Sequence, residues 1–430
     1  MPGQMSILHR IFRNSGWLLA EKALRLAIGL LVGGWMARHL GPEQFGLYNY
    51  SLALVALFSV LANLGLDSVV VRDIVRDPAR RDATLGSAFL LKTAGGVLAV
   101  SASIGASLLL DVADKRVPWL VALLSLTLIA QAFDSVDLWF QSQLQVRFSV
   151  VARHAAFLAI AMAKILLILS DAPLIAFAWA ALGESVLAAI TLVMAYRLNR
   201  HRIMAWRAEA ARMHELLAQC WPLFLSGVMI AIYMRVDQVM LGQLAGSAAV
   251  GTYSAAIILS ELWYAIPLAI VASTAPLLAE ARNADRAAYR RLLTMLLRWL
   301  TLASCAFAIL VSLMSEPLVV LVFGGAYRDS GAILAVHVWT AVFVALGTAS
   351  SQYLLHENLT RISFQRTLAG VTVNILLNLL WIPRYGPIGA AWAAVVAHAV
   401  ASLFLFQSPA SRACLGLMLR ALWPFPGRSA

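Results

Sequence analysis

Ala37-Arg38-His39-Leu40-Gly41-Pro42-Glu43-Gln44-Phe45-Gly46-Leu47-Tyr48 joins two long apolar segments. Gly41-Pro42 is a turn pair, because glycine reaches conformations closed to other residues and proline cannot continue the preceding helix. Phe45-Gly46 then opens a second apolar run. The pattern returns 205 residues later, from 37 to 242, as Gly242-Gln243-Leu244-Ala245-Gly246-Ser247-Ala248-Ala249-Val250-Gly251-Thr252-Tyr253. In both copies a helix ends in a small turn, a Gly-x-Tyr starts the next one, and Ser and Ala follow. The echo predicts two related halves.

The surrounding composition sets the solvent. The chain has 430 residues, 61% hydrophobic and 13% charged, with a mean hydropathy of +0.81. A soluble globular protein is about 45–50% apolar and about 25% charged. So large a surplus cannot be buried in one core, so the solvent is lipid. A membrane β-barrel would show alternating segments of about 10 residues. The runs here are unalternated and about 20 residues long, which predicts a polytopic all-α membrane protein. The net charge of +12 then reads as positive-inside loops, with no nucleic acid among the expected partners. Cys220, Cys305 and Cys414 lie in or beside apolar runs and form no Cys-x-x-Cys, so they read as small buried hydrophobes, with neither a disulfide framework nor a metal. The eight histidines lack ligand spacing, and there is no P-loop, His-Glu-x-x-His or Gly-x-Ser-x-Gly. The sequence therefore predicts no enzyme, no cofactor and no ATP-driven step. His9, Arg10 and Arg13 precede Trp17, but no Ala-x-Ala site follows, so the first segment is expected to be a retained span.

Twelve runs are long enough to cross a bilayer, at about 15–37, 45–66, 85–110, 118–141, 150–170, 173–196, 216–241, 251–278, 294–314, 331–354, 363–382 and 387–408. Of the 33 lysines and arginines, 22 fall in connections on one side and five on the other. The five are Arg38, Lys115, Arg116, Arg328 and Arg384. This bias places both termini in the cytoplasm. The outer connections are too short to fold as a catalytic domain, so a substrate site must lie among the helices. The link from Tyr196 to Leu216 interleaves five arginines with Trp206 and Met213 and predicts an amphipathic surface helix, as does the tail from Leu415 to Trp423. The echo divides the chain into a six-helix bundle over 1–210 and another over 211–430. Six spans return the chain to the same side, so the repeats are parallel.

Ionisable groups inside spans are costly and mark interior pairs, cavities or pathways. Arg25 lies about 15 Å into span 1, near mid-membrane, with Glu21 four residues earlier on the same face. Lys92 in span 3 precedes Gly95-Gly96, which permit close helix approach. Lys164 lies toward the outer end of span 5 and is expected to snorkel to the surface. Arg235 and Asp237 share span 7 but point apart, Arg235 toward a cavity and Asp237 toward another helix. Glu184 in span 6 and Glu261 in span 8 sit near mid-depth. A carboxylate there either forms a buried ion pair or carries a proton. Asn374 and Asn378, four apart on span 11, predict helix–helix hydrogen bonds.

Several segments together resemble a known family: Asn14-x-x-Trp17, the Ala37–Gly46 turn, Leu64-Gly65-Leu66-Asp67, Arg235-Val236-Asp237-Gln238, Val250-Gly251-Thr252-Tyr253, and Asn374-x-x-x-Asn378 running on through Ile382-Pro383, Tyr385-Gly386 and Gly389-Ala390-Ala391. They resemble the polysaccharide biosynthesis transporters, the O-antigen and exopolysaccharide flippase branch of the multidrug/oligosaccharidyl-lipid/polysaccharide exporters. The resemblance implies twelve helices in two six-helix bundles around a central cleft in the bacterial inner membrane. It implies passage of an undecaprenyl-pyrophosphate-linked oligosaccharide by alternating access, driven by a proton or sodium gradient. Its implied partners are the lipid-linked oligosaccharide, membrane lipids, and polysaccharide polymerase and chain-length proteins. A pyrophosphate head needs cations to replace its water, which points to Arg25, Arg235 and Lys92 as substrate-binding residues. Glu21, Glu184, Glu261 and Asp237 are the candidates for ion coupling or charge partnership. The alternative is a multidrug cation antiporter on the same fold, using acids such as Glu184 and Glu261. A membrane polymerase or ligase would need a large outer loop carrying catalytic residues, which this chain lacks.

Overall fold

A chain in hydrocarbon must satisfy its backbone polar groups internally, and in apolar runs of about 20 residues only helices do so. The computed structural model describes the backbone of residues 2–110 and 114–422, and side chains within 25–110 and 114–421; every regular element among them is helical. Helix α1 (Pro2–Asn63) breaks at Gly41, where φ is 71° and ψ 169°. The apolar stretch Arg25–Arg76 has 52 residues. Straight, it would run about 78 Å, against a hydrocarbon core of about 30 Å. It therefore crosses twice.

Helices α2 (Asp67–Arg76) and α3 (Arg81–Leu109) follow. The fourth crossing is segmented into α4 (Arg116–Ser125), α5 (Thr127–Ala130) and α6 (Ser135–Ser142). Helices α7 (Val146–Leu169), α8 (Leu174–Leu198) and α9 (Ala210–Leu244) each make one crossing. The eighth comprises α10 (Ser247–Glu261) and α11 (Ala265–Ala284). Helix α12 (Arg286–Leu313) precedes the short α13 (Ser315–Phe323), and the tenth crossing is α14 (Ser330–His337) with α15 (Thr340–His356). Helix α16 (Thr360–Leu403) breaks at Gly386, with φ 57°, just before Pro387, and α17 (Pro409–Leu422) closes the described chain. Among the described residues, ten helical stretches are long and apolar enough to cross a membrane. Two of them fold at Gly41 and Gly386, so the crossings number twelve, as the sequence predicts.

Helices α3, α4 and α7 pack on α1, and α8 packs on α7 and α4. In the second half α14 and α15 pack on α16, and α12 packs on α15 and α11. The halves meet where α1 lies against α9 and α10. Small residues permit the closest approaches: a Cβ at Gly95 would strike the Leu61 carbonyl, and one at Gly96 would lie 2.9 Å from the Leu128 carbonyl.

The link from Tyr196 to Leu216 is not the surface helix its composition suggests. It holds one 3₁₀ turn, Ile203–Ala205, and extended backbone at Trp206 and Glu209, before α9 starts. Trp206 donates to the Tyr196 hydroxyl at 3.1 Å, the Arg207 amide to the Asp82 carbonyl at 3.1 Å, and the Glu209 amide to the Ser87 hydroxyl at 3.1 Å. Gly86 has no side chain to hold this strap away from α3. Specific partners for the backbone groups outweigh a weak amphipathic pattern. The tail does form a helix: α17 buries Cys414, Met418 and Ala421 against the second half.

Candidate functional site

The end of the molecule away from the arginine-rich connections is closed by contacts between the halves. A Cβ at Gly46 would collide with the Ser247 carbonyl, and one at Gly251 with the Pro42 carbonyl. The offset between 46 and 251, and between 42 and 247, is 205 in both cases, so the contact is reciprocal. The turn glycines match as well: Gly246 has φ 85° and ψ 174°, close to Gly41. Arg38 extends from the first half to the last carbonyls of α13 in the second. It donates to Val322 at 3.1 Å, to Val320 at 3.4 Å, and to Leu321. Those carbonyls lie in the last turn of α13, where intrahelical donors run out, although Val320 also accepts from the Gly324 amide at 3.0 Å. The Tyr327 hydroxyl donates to the Ala37 carbonyl at 2.9 Å, and Phe45 packs edge-on to Tyr327.

Deeper, Arg25 stands in a groove of about 510 Å³ between the halves. Gly29, Gly33 and Phe157 line one wall; Ile258, Leu262 and Ala265 line the other. Its side chain is 43% exposed, lies 4.0 Å from the Glu184 carboxylate, and stacks 5.0 Å over the Phe157 ring. Lys164 holds the other Glu184 oxygen at 3.2 Å, so it pairs within the bundle and does not snorkel outward. Two cations share one carboxylate here. The glycines on α1 keep the groove open: a Cβ at Gly29 or Gly33 would meet nothing within 4 Å. Glu21, the sequence-level partner of Arg25, lies outside the described side chains.

Lys92 belongs to a separate grouping. It is buried, with its ammonium 2.6 Å from Asp67, whose other oxygen accepts from Asn63 at 3.1 Å. Nearby Arg153 bridges Asp134 at 3.0 Å and Asp137 at 2.9 Å.

Arg235 lies in the second half, donating at 3.5 Å to the Gln238 side-chain oxygen Oε1 and within electrostatic reach of Glu261. Asp237 points the other way into a buried network. One oxygen accepts from Asn378 at 2.6 Å and the other from the Tyr253 hydroxyl at 2.9 Å, while Asn378 also donates to Asn374 at 3.1 Å. Spans 7, 8 and 11 are thereby tied by one carboxylate. Arg25, Lys92 and Arg235 thus stand in three groupings, each with its own partners.

The structure adds residues that sequence reasoning passed over. Ser260 and His337 meet at 2.7 Å, and Tyr264 and Thr340 at 2.7 Å, at facing interruptions of the eighth and tenth crossings. His398 packs against Tyr233 at a tilt of 46°, with ring centroids 4.5 Å apart. Arg366, counted from sequence among the connecting loops, is buried in α16 and donates to Ser350 at 2.7 Å, Ser351 at 2.6 Å and the Gly347 carbonyl at 3.1 Å. Single histidines and tyrosines in apolar runs carry no spacing signal, so only packing reveals them.

These features define a multi-span membrane protein with a charged groove lined by α1, α7, α10 and α11. The polysaccharide biosynthesis protein family matches residues 11–282, more than half of the chain, and the chain belongs to that family. The MatE family matches residues 222–380. Among curated proteins the chain is 34% identical over 110 residues to a putative O-antigen transporter of Shigella flexneri, covering 26% of this chain and 25% of that one. It is 26% identical over 219 residues to the probable flippase AglR of Haloferax volcanii, covering 50% and 45%. The matched stretches thus span from a quarter to about half of those relatives. Among solved structures, an inward-facing multidrug resistance MATE family transporter of the MOP superfamily superimposes with a TM-score of 0.73 at 16% identity, over 92% of this chain and 96% of that one. The lipid II flippase MurJ, in an inward closed conformation, gives 0.71 at 14% identity, over 94% and 90%. An outward-facing MATE family transporter gives 0.59 at 15% identity, over 93% and 94%.

Proposed function

We propose that this protein is a flippase carrying an undecaprenyl-pyrophosphate-linked oligosaccharide across the bacterial inner membrane, for O-antigen, capsule or exopolysaccharide synthesis. The observation that carries the reading is Arg25. Its guanidinium is half-exposed, deep in the membrane, at the seam between the halves, in a cluster where, among the described side chains, Arg25 and Lys164 share the single carboxylate of Glu184. A pyrophosphate leaving water needs such a group, and an arginine fork binds phosphate oxygens bidentately. The open groove beside it lets the polyprenyl tail stay in lipid while the head moves inside. Arg235 supplies a second cation from the other half, and Lys92 neutralises Asp67 at the basic end of the cleft.

The two bundles, 1–210 and 211–430, rock against each other, with the arginine-rich end in the cytoplasm. The latch at Arg38 and the Gly46–Gly251 crossing supports an inward-facing state. So does the better agreement with the inward-facing transporter, 0.73 against 0.59. Glu261 and Asp237 are the groups we assign to ion coupling, Asp237 because its occupancy by a cation would reset contacts among three spans. A multidrug antiporter would need a free acid in the groove, whereas Glu184 is already engaged by Lys164 and faces Arg25.

The test uses the purified protein in proteoliposomes loaded with an undecaprenyl-pyrophosphate-linked oligosaccharide. Transbilayer movement, read by lectin access to the sugar, is the expected result. Efflux of a cationic dye with no movement of the lipid-linked sugar would overturn the reading in favour of the antiporter.

A further inference from the structure

Helix α12 presents one face that its own half leaves uncovered. Residues 290, 291, 294, 295, 298, 299 and 302 recur at helical spacing and line a groove of about 570 Å³, completed by Leu417 and Arg420 of α17. The opposite face, including Tyr289, Leu293, Leu296 and Leu300, is buried. Along the stripe the chemistry changes in order: Arg290 and Arg291 first, then Thr294 and Met295, then Arg298 with Trp299, then Leu302. From Arg290 to Leu302 the helix rises twelve steps, about 18 Å. It begins at the basic end of the molecule and runs toward the membrane centre.

We propose that this groove is a binding site for an anionic glycerophospholipid of the leaflet at the basic end. The gradient from guanidinium through an aromatic ring to aliphatic carbon matches a phospholipid read from phosphate to acyl chain. Basic pockets between helices at a cytoplasmic surface hold such headgroups, and indole rings favour the headgroup level. Arg290 and Arg420 approach from different helices, and both are exposed. Arg291 makes a long contact with Asp285, at 3.9 Å, with both side chains more than half exposed, a pairing weak enough to yield to a phosphate. Trp299, 67% exposed, offers its ring beside the upper chain carbons. A bound lipid would also bridge α12 to α17, which already packs on it. A general belt of positive charge would be spread over the surface; here charge and apolar lining converge on one two-helix groove.

The discriminating experiment is native mass spectrometry of the purified full-length protein titrated with dioleoyl-phosphatidylglycerol or dioleoyl-phosphatidylcholine. Phosphatidylglycerol should bind selectively. An Arg290→Gln, Arg420→Gln variant should lose that binding by about 10-fold. A control variant, Arg76→Gln, Arg80→Gln, removes two exposed arginines elsewhere at the same end and should lose less than about 2-fold. Because all four side chains are exposed, unchanged thermal unfolding accompanies both variants. Equal loss in the two variants would mean a diffuse basic surface and would overturn the proposal. So would unchanged binding in the first variant, or equal binding of the zwitterionic lipid.

Discussion

Carrying the 205-residue offset of the turn echo back along the helices sets α1 against α9 residue by residue. Arg25 falls opposite Ile230, and Val32 opposite Asp237. Each half thus carries a charge where the other carries an aliphatic side chain. The tyrosines correspond, Tyr48 to Tyr253, yet only Tyr253 has a carboxylate to hold. The environments differ in kind. Arg25 is half-exposed in a groove, with a 4.0 Å contact to its acid. Asp237 is buried, with both oxygens hydrogen-bonded to other helices. A similar backbone therefore serves two purposes. The first half keeps a charge accessible, and the second spends one on tying spans together. A buried, fully bonded carboxylate contributes to stability; an exposed, loosely paired guanidinium contributes little and is free to bind.

This contrast can be broken directly. Arg25→Ala should reduce movement of the lipid-linked oligosaccharide by about 10- to 100-fold, the equivalent of a lost charge-assisted contact. Its thermal unfolding in detergent should stay near that of the parent. Loss of folding would instead place Arg25 among the structural groups and erase the difference between the halves. Asp237→Ala should differ in the second readout, losing stability as well as coupled transport. It orphans the Tyr253 hydroxyl and leaves the Asn378 amide with Asn374 alone, and should lower stability by about 1–3 kcal/mol, read from the unfolding midpoint. An unchanged midpoint would show that the network is slack.

The closed end supplies a finer test, because there the two halves act alike. Arg38→Ala removes the cap on α13 and should shift the closed state by about 1 kcal/mol, seen as greater thiol-reagent access to a cysteine placed near Phe323. Unchanged access would mean that the Gly46–Gly251 crossing alone holds the end shut. The smallest effect concerns the start of α12. Asp285 accepts from the Ala287 amide at 2.8 Å and the Ala288 amide at 3.1 Å, which hold its carboxyl below the usual range. A carboxylate lowered in the folded state stabilises above its unfolded pKa and loses that stabilisation as pH falls through the folded value. The parent should therefore exceed Asp285→Ala slightly in stability at neutral pH, and the gap should close below about pH 4. A gap that persists in acid would rule out the cap as its source.

Much of this molecule is legible in the chain alone. Runs of apolar residues long enough to cross a bilayer determine the twelve crossings, because lipid leaves the backbone no other solution than the helix. Gly41-Pro42 and Gly386-Pro387 mark two sharp reversals, because few residues other than glycine accept that backbone there. The spacing of Arg235 and Asp237 correctly separates their directions, since residues two apart on a helix face different ways. The tertiary structure alone decided which charges meet. Lys164 pairs with Glu184 from a neighbouring helix, Lys92 with Asp67 across a turn, and Arg366 with hydroxyls and a carbonyl inside α15. It alone turned the arginine-rich link into a strap, held by Asp82 and Ser87. The physical reason is common to all of these. Helical periodicity fixes the direction a side chain takes from its own axis, but a partner on another helix depends on how the axes pack, and that is set by small residues and turns scattered far along the chain.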